Sequence, residues 1–155
     1  MKSIKFKLAL IGFTLFAGQA MLYGQAAQAS VAVARQKILT AALRGYEDCL
    51  SKDITAIVES AIFQSVRMKL GEPEQNYSKI VVTLKRLAFE APTPALRYKA
   101  YLAATIITNP EQFLSLAQIA QAQTFTEETR DGFFTFIAAA IQKSTFETML
   151  AANNR

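Results

Sequence analysis

The stretch APTPALRYKAYLAA, residues 91–104, indicates that this chain is built from packed helices. Thr93 is placed to cap a helix whose first residue is Pro94, because a proline there loses no hydrogen bond and its fixed φ suits a helix. One apolar stripe at helical spacing includes alanines that permit close approach of a neighbour: Leu96, Ala100, Ala103 and Ile107. A second apolar side consists of Tyr98, Tyr101, Leu102 and Thr105. We therefore expect this helix to be sandwiched between others.

The two cations of the stretch, Arg97 and Lys99, lie at the margins of this helix. Residues two apart are separated by about 160° around a helix axis, so these side chains lie on opposite edges and do not form one patch. Arg97 shares an edge with Tyr101. We expect this exposed edge to be a candidate for contact with a partner.

From residue 30 onward, the chain shows helical periodicity nearly throughout, interrupted by residues typical of helix starts and ends. We predict about six helices and a short terminal one. The first covers Val33–Leu50, the second is capped by Ser51 or Asp53 and ends at Gly71, the third starts after Asn76, and the fourth follows the Thr93 cap. Capping patterns predict the later starts: Asn109 with Pro110 and Gln112, Thr124 with Glu127, and Ser144 with Glu147 for the terminal helix. The third helix has the clearest apolar stripe: Tyr77, Ile80, Val81, Leu84, Leu87 and Ala88. No sustained alternation or Asn-Gly turn indicates a strand, so the predicted fold class is all-α.

The first 29 residues are predicted to be an export signal. Lys2, Lys5 and Lys7 precede an apolar core over Leu8–Tyr23, and Ala27-Gln28-Ala29 gives the small-x-small pattern of a cleavage site. An uncleaved anchor is the alternative, although the core is shorter than the ~20 apolar residues of a spanning helix. The signal resembles bacterial export signals. We therefore expect a mature domain over residues 30–155 that is located in the periplasm or secreted.

Removal of this segment changes the electrostatic interpretation. The whole chain carries a net charge of +5, whereas residues 30–155 contain 14 basic and 12 acidic residues and carry +2. This balance argues against a nucleic-acid partner, which usually requires a clustered basic surface. Cys49 is the only cysteine, so no intrachain disulfide or cysteine zinc site is expected, and a small buried apolar role is predicted for it.

A weak internal repeat relates two of the helices. Residues 57–69 align with residues 96–108 at an offset of 39, which pairs Ala61 with Ala100 and Phe63 with Leu102. Both segments lead into a Pro-Glu pair, and a looser third copy begins near Arg130. A repeat of this length made of two helices is typical of helical-hairpin solenoids.

On these features, residues 53–142 resemble a HEAT or armadillo-like repeat domain. The resemblance implies two to three degenerate pairs of antiparallel helices stacked in one domain, with a surface that binds a partner. It implies no catalytic residue. The copies differ in connection length, so an irregular helical bundle remains the alternative.

The residue types available restrict the possible chemistry. The chain contains no histidine, which removes imidazole bases and histidine metal ligands, and glycine is too sparse after residue 29 for a phosphate-binding loop. No cofactor, metal site or catalytic residue is therefore predicted. Carboxylates offer the one enzymatic route, and they form three groups: Glu47-Asp48-Asp53, Glu72-Glu74 and Glu127-Glu128-Asp131. The simpler interpretation is that these acids lie at helix ends and in a polar connection.

Basic residues are concentrated between residues 67 and 99, a range that contains seven basic and three acidic residues. Lys79 and Arg86 share the outer side of the third helix. Such a region could attract an acidic partner or an anionic membrane surface, although a solvated surface explains it as well. Near the end of the chain, Phe133 is expected in the core. Phe134 lies on another side of the helix, where it could cover a groove or partner site or be a second core neighbour.

Together these observations predict a non-catalytic, exported helical-repeat protein that binds an unidentified protein or peptide. The candidate partner-binding residues are Arg97, Tyr101, Lys79, Arg86 and Phe134. Two alternatives remain: a small carboxylate-dependent hydrolase of the cell envelope, and a binder of anionic surfaces acting through residues 67–99.

Overall fold

A computed structural model describes residues 30–153, so the predicted export signal lies outside the described residues. The chain divides into two compact units, Met1–Ala41 and Ala42–Arg155. In the first unit, residues 30–41 are helical and almost entirely exposed. The second unit contains the core and is described below.

The described residues form helices and no strand, which confirms the all-α prediction. Residues 42–50 form the helical segment α1 of the second unit. Six further α-helices follow: α2 (Thr55–Gly71), α3 (Ser78–Glu90), α4 (Pro94–Thr108), α5 (Pro110–Phe113), α6 (Leu116–Ala122) and α7 (Arg130–Asn153). A single 3-10 turn, Glu127–Thr129, leads directly into α7.

The start of α4 follows the sequence prediction. The Thr93 hydroxyl accepts a hydrogen bond from the Leu96 amide at 3.2 Å, and Pro94 is the first helical residue. The predicted end of α2 at Gly71 and the start of α3 after Asn76 are also confirmed. Asn76 accepts a hydrogen bond from the Ser78 amide at 3.0 Å, so its side chain supports the first turn of α3.

Several predicted caps are wrong. Ile54 precedes α2 without a capping side chain, so neither Ser51 nor Asp53 begins that helix. Pro110 is the first residue of α5, as predicted, but the Asn109 side chain before it makes no capping bond, and α5 ends after one turn because Leu114 adopts an extended backbone. The capping box lies instead at Ser115 and Gln118, at the start of α6.

The end of the chain differs from the prediction in the same way. Thr126 and Thr129, not Thr124 with Glu127, form the box that precedes α7. The predicted short terminal helix is absent from the described residues, since α7 continues without a break to Asn153. The Ser144 hydroxyl donates to the Gln112 carbonyl at 3.0 Å, so this serine joins α7 to α5 and caps nothing.

Helix α4 lies at the centre of the core and packs against α2, α3 and α7. Its predicted stripe is buried throughout, and Ala100 and Ala103 have no exposed surface: Leu96, Ala100, Ala103 and Ile107. The expected second side is only partly correct. Leu102 is buried, but Tyr98 and Tyr101 are about half exposed, because α3 and α5 leave an open groove above them.

The predicted stripe of α3 is confirmed. Tyr77, Ile80 and Leu84 are buried, and the remaining stripe residues are partly buried against the core. Cys49 is also partly buried against the core and carries a free thiol. Ala61 and Ala100, which the repeat alignment pairs, are both buried, and their equivalence as repeat positions stays a prediction.

Aromatic rings join α2 to α7 across the core. Phe63 and Phe133 meet edge to face with ring centroids 4.9 Å apart, and Phe125 covers Phe133 from the preceding loop at 5.7 Å. Phe134 is only 4% exposed and meets Phe133 at 5.4 Å. The structure therefore corrects its candidate role: Phe134 is a second core neighbour and not part of the surface.

Candidate functional site

The structure brings two of the five candidate residues together. Arg97 and Tyr101 line one open groove of about 610 Å³ in the second unit. We call it the α3–α4 groove, and its walls come from α3, α4 and the start of α5: Lys85, Ala88, Phe89, Arg97, Tyr98, Tyr101, Ala104, Thr105, Thr108, Asn109 and Phe113.

The groove follows from the registers of its two main helices. Along α4, the lining residues recur at three- and four-residue spacing from Arg97 to Thr108, so they share one face of the helix. Along α3, Lys85, Ala88 and Phe89 recur at the same spacing. Alanines at the base of both walls keep the groove open, since a larger side chain there would fill it.

Four aromatic residues line the groove. Phe89 is 85% exposed, while Tyr98 and Tyr101 stand about half exposed on α4. Phe113 closes one side and is partly buried. Exposed aromatic rings gathered in one groove are candidates for contact with a ligand, because their apolar area is available for burial.

The groove is electropositive. Arg97 donates from Nη1 to the Ala91 carbonyl at 2.8 Å, just beyond the end of α3, which leaves its other N–H groups available. Neither Arg97 nor Lys85 forms an ion pair with any residue between 30 and 153. The lining contains no acidic residue, so an anionic group of a ligand would find two cations and no repulsion.

Lys79 and Arg86 lie on the outer side of α3, as predicted, but neither lines the groove. Lys79 is highly exposed, and its Nζ lies 3.9 Å from an oxygen of Glu47, in a shallow hollow against α1. Arg86 lines a different hollow beside Glu90. The cations of the predicted basic region are therefore spread over several separate surfaces, and the groove holds two of them.

The third predicted acidic group is part of an ion cluster that joins α2, α4 and α7. We define this ion cluster as Glu59, Lys99, Glu127, Arg130 and Asp131. The Lys99 ammonium lies 3.2 Å from Glu59 and 2.8 Å from Asp131, while Arg130 lies 3.2 Å from Glu59 and 3.1 Å from Glu127. Each acid is therefore held by at least one cation.

Hydrogen bonds and charge also lower the pKa of two acids, one in this cluster and one beside it. The hydrogen bond and positive charge of Lys99 lower the pKa of Asp131. A hydrogen bond from the Thr126 hydroxyl lowers the pKa of Glu128, and its own backbone amide contributes. A general acid needs a pKa raised toward neutrality, and these shifts run in the opposite direction.

Other chemistry finds little support in the part of the chain that the structure describes. Residues 30–153 contain no group of three acidic or cysteine side chains that could hold a metal ion. Over the same residues, no helix combines the length and the apolarity needed to cross a membrane.

Sequence reasoning identified Arg97 and Tyr101 and included Lys85 in the basic region of residues 67–99, but it missed Phe89 and Phe113. A signal for Phe89 was present, because it falls on the polar side of α3, away from the apolar stripe and three residues from Arg86. Phe113 carried no such signal, since its position depends on α5 ending after one turn.

Comparison of the chain with protein-family models, curated proteins and solved structures gave no match.

Proposed function

We propose that this chain is a non-catalytic, exported helical module that binds a protein partner in the α3–α4 groove. The observation that supports this function best is the exposure of Phe89, Tyr98 and Tyr101 beside two cations that have no acidic neighbour in the groove. Tyrosine and arginine are the residues that contribute most at protein interfaces, where they supply area and hydrogen bonds together.

The dimensions of the groove agree with this proposal. Its volume of about 610 Å³ lies within the range of formed binding sites, and its mouth is open along α4. From Arg97 to Thr108, the α4 wall rises about 16 Å, which is the length of three helical turns. A short helix or an extended peptide fits such a surface.

Export and stacked helix pairs complete the proposal. The export signal in residues 1–29 would place the domain in the cell envelope or outside the cell. The HEAT-like stacking inferred from the repeat would use α2 and α4 as equivalent helices, and exposed surfaces of stacked helices are the usual binding surfaces of such proteins.

The non-catalytic part of the proposal is supported by the available side chains. The groove is lined by no carboxylate and no cysteine, and the sequence has no histidine. The converging carboxylates Glu59 and Asp131 meet at Lys99 and are engaged in ion pairs. A glycosidase would instead need two carboxyl groups that face each other across space for a substrate.

Site-specific photo-crosslinking tests the proposal directly. The photoreactive residue p-benzoylphenylalanine would replace Tyr101 in one variant and Leu116 in a control, since Leu116 is exposed on α6 outside the groove. We expect a discrete adduct in intact cells from position 101 and none from position 116. The adduct should disappear when Phe89→Ser is added. Absence of any adduct at position 101, or equal adducts at both positions, would refute binding in the groove.

A second candidate function is binding to an anionic lipid surface. Its supporting observation is that Phe89, the most exposed aromatic ring in the groove, shares the groove with two cations, Lys85 on α3 and Arg97 on α4. Each cation contributes about 1 kcal/mol near an acidic bilayer. Phosphatidylglycerol vesicles should bind the protein at low salt and release it as salt rises, and binding that is indifferent to salt would exclude this candidate.

A further inference from the structure

The two cations of the α3–α4 groove lie near the same end of it. Residues 91–93 join α3 to α4, and such a short connection between two helices that pack together makes them antiparallel. Lys85 lies five residues before the end of α3, and Arg97 lies three residues after the start of α4. Along the helix axes their Cα atoms are therefore about 7.5 Å and about 4.5 Å from the hairpin end. The groove places both cations at nearly one level, one on each wall.

Among the described residues, the rest of the groove lining carries no charge. Beyond the two cations no residue of α3 lines the groove, and its wall continues in α4 and in Phe113 of α5. The Thr105 hydroxyl donates to the Tyr101 carbonyl at 2.9 Å. The Thr108 hydroxyl donates to the Ala104 carbonyl at 2.7 Å in the same way, so neither hydroxyl proton is available to a ligand. This part of the groove offers apolar surface and few hydrogen-bond donors.

An extended peptide would match this surface poorly. Its backbone N–H and C=O groups need partners, but the backbone groups of both walls are bonded within their own helices and the two threonine protons are engaged. An acyl chain has no such groups, and its methylenes are stabilised when apolar walls cover them. The groove therefore favours a ligand whose polar part is confined to one end.

The cations determine the charge of that polar end. Arg97 donates from Nη1 to the Ala91 carbonyl and keeps its other N–H groups for a ligand, while Lys85 is a second cation on the facing wall. A carboxylate has two oxygens and one negative charge, which these two groups can bind. A phosphate usually accepts from backbone N–H groups at helix starts as well, and the described lining includes no residue from the first three positions of α4 or α5.

The length of the groove sets the length of the chain. From Arg97 to Thr108 the α4 wall rises about 16 Å. An extended chain advances about 1.2 Å per bond, because the three backbone bonds of one residue span about 3.5 Å. About 13 bonds therefore follow the wall, which corresponds to a carboxylate of about 12 to 14 carbons. Phe113 lies at the far end of the groove, since α5 follows directly on α4.

We propose that the α3–α4 groove binds one long-chain carboxylate of the fatty acid type. Its head lies between Lys85 and Arg97, and its chain runs along α4 toward Phe113. This inference goes beyond the proposed function and does not rest on it. A protein partner and a fatty carboxylate would use the same residues, so each would exclude the other from the groove.

Isothermal titration calorimetry with dodecanoate, below the concentration at which it forms micelles, tests the inference. We expect one dodecanoate per chain and a dissociation constant below about 1 mM. Dodecyltrimethylammonium has the same chain and a cationic head, so it should bind at least about tenfold more weakly. From octanoate to dodecanoate the affinity should rise about two- to fourfold per methylene, and it should change little from tetradecanoate to hexadecanoate, because the groove is then filled.

Four variants locate the ligand within the groove. Arg97→Gln and Lys85→Gln should each weaken dodecanoate binding at least about fivefold. Arg86→Gln is the matched control, because it makes the same change of charge on α3 at a residue that lines a different hollow, and it should bind like the wild type. Thr105→Phe places a ring in the far half of the groove and should shift the preferred chain toward octanoate. Circular dichroism confirms that each variant is folded.

Three results would overturn the inference. The first is absence of dodecanoate binding up to about 1 mM, and the second is equal binding of dodecyltrimethylammonium or an equal loss in Arg86→Gln. The third is an affinity that still rises steeply from tetradecanoate to hexadecanoate, since the longer chain would extend beyond the groove. Binding to phosphatidylglycerol vesicles without binding of dodecanoate would likewise overturn it and favour the lipid surface.

Photo-crosslinking from position 101 separates this inference from the proposed function. If dodecanoate does not bind but position 101 yields a protein adduct, the groove binds a protein and only the fatty acid inference fails. If dodecanoate binds as expected and no adduct forms, the proposed function fails and the inference stands. If both succeed, added dodecanoate should reduce the yield of the adduct, and a yield that dodecanoate leaves unchanged would contradict a shared groove.

Discussion

Lys99 should stabilise the fold through the ion cluster, and its removal provides a quantitative test of how the central helix is held. The Nζ atom lies 3.2 Å from Glu59 on α2 and 2.8 Å from Asp131 on α7, and 5.5 Å from the ring centroid of Phe134. The Lys99 side chain is 16% exposed and that of Glu59 is 17% exposed, whereas Asp131 is 86% exposed. One partner is therefore shielded from water and the other is solvated.

We predict that Lys99→Met lowers the free energy of unfolding by about 2 kcal/mol, between the values typical of solvated and buried ion pairs. Breaking a buried pair costs about 3–5 kcal/mol when the remaining charge is unpaired. Here Glu59 keeps Arg130 at 3.2 Å, and Asp131 returns to water at little cost. Methionine retains the length of the lysine stem and replaces the ammonium near the Phe134 ring with a thioether side chain, which also packs favourably against aromatic rings.

Urea unfolding followed by circular dichroism measures this loss. If the slope of the free energy of unfolding against urea concentration is the same in the variant as in the wild type, the folded state is intact. Arg97→Met is the matched control on the same helix, because it removes one hydrogen bond to the Ala91 carbonyl, worth about 1 kcal/mol, and no ion pair. If Lys99→Met lowers the free energy of unfolding by less than about 0.5 kcal/mol, the ion cluster is solvated. If it lowers it by more than about 4 kcal/mol, Glu59 is left unpaired. Either result refutes the reasoning.

The pH dependence of the same variant gives an independent check. Lys99 lowers the pKa of Asp131 in the folded state, so this contribution is present above the unfolded pKa, near about 4, and is lost as pH falls below it. The stability difference between the wild type and Lys99→Met should therefore shrink in acid. A difference that stays constant from neutral pH into acid would contradict the assignment.

Three further measurements test the helix starts, the core and a buried hydroxyl. Thr93→Ala should lower the free energy of unfolding by about 1 kcal/mol and Asn109→Ala by less than about 0.5 kcal/mol, because only the Thr93 side chain makes a capping bond. Equal losses for the two variants in urea unfolding would contradict this. Phe133→Ala should lower the free energy of unfolding by about 3–5 kcal/mol, because Phe133 is fully buried, whereas Phe146→Ala should lower it by less than about 0.5 kcal/mol in dilute protein, because Phe146 is exposed. A large loss for Phe146→Ala would show that Phe146 contacts the core. Burial raises the pKa of Tyr77 to about 12, so ultraviolet titration should find one tyrosine that ionises at this pH. Because the unfolded chain loses this proton at about pH 10, the free energy of unfolding should fall as pH rises above that value. Ionisation of every tyrosine at about pH 10 would refute the burial of Tyr77.

The helices whose signals are local could be predicted from the sequence. Thr93 and Pro94 start α4 because the cap and the proline act within one turn, and the stripe of α3 follows from spacing alone. The prediction that Arg97 and Lys99 lie on opposite edges also agrees with the structure. Arg97 lines the groove, whereas Lys99 enters the ion cluster on the other side of α4.

The region after α4 could not be predicted as well, because several capping patterns compete there. Asn109 and Ser144 have the residue types and spacing of helix starts. Helix α5 does begin after Asn109, although without a side-chain capping bond, whereas Ser144 lies inside α7. Ser115 provides the actual box for α6. Packing of α5 against α7 decides among these patterns, since the Ser144 hydroxyl bonds the Gln112 carbonyl from 32 residues away.

The sequence by itself determined the class of the fold and the helix faces that become buried, because helical periodicity and caps depend on residues within a few positions of one another. Only the tertiary structure decided that Tyr98 remains exposed, that Phe134 is buried, and that a groove opens between α3 and α4. These outcomes depend on which helix covers which face. The pair of Glu59 with Lys99 spans 40 residues, and that of Glu59 with Arg130 spans 71, so no local pattern records either one.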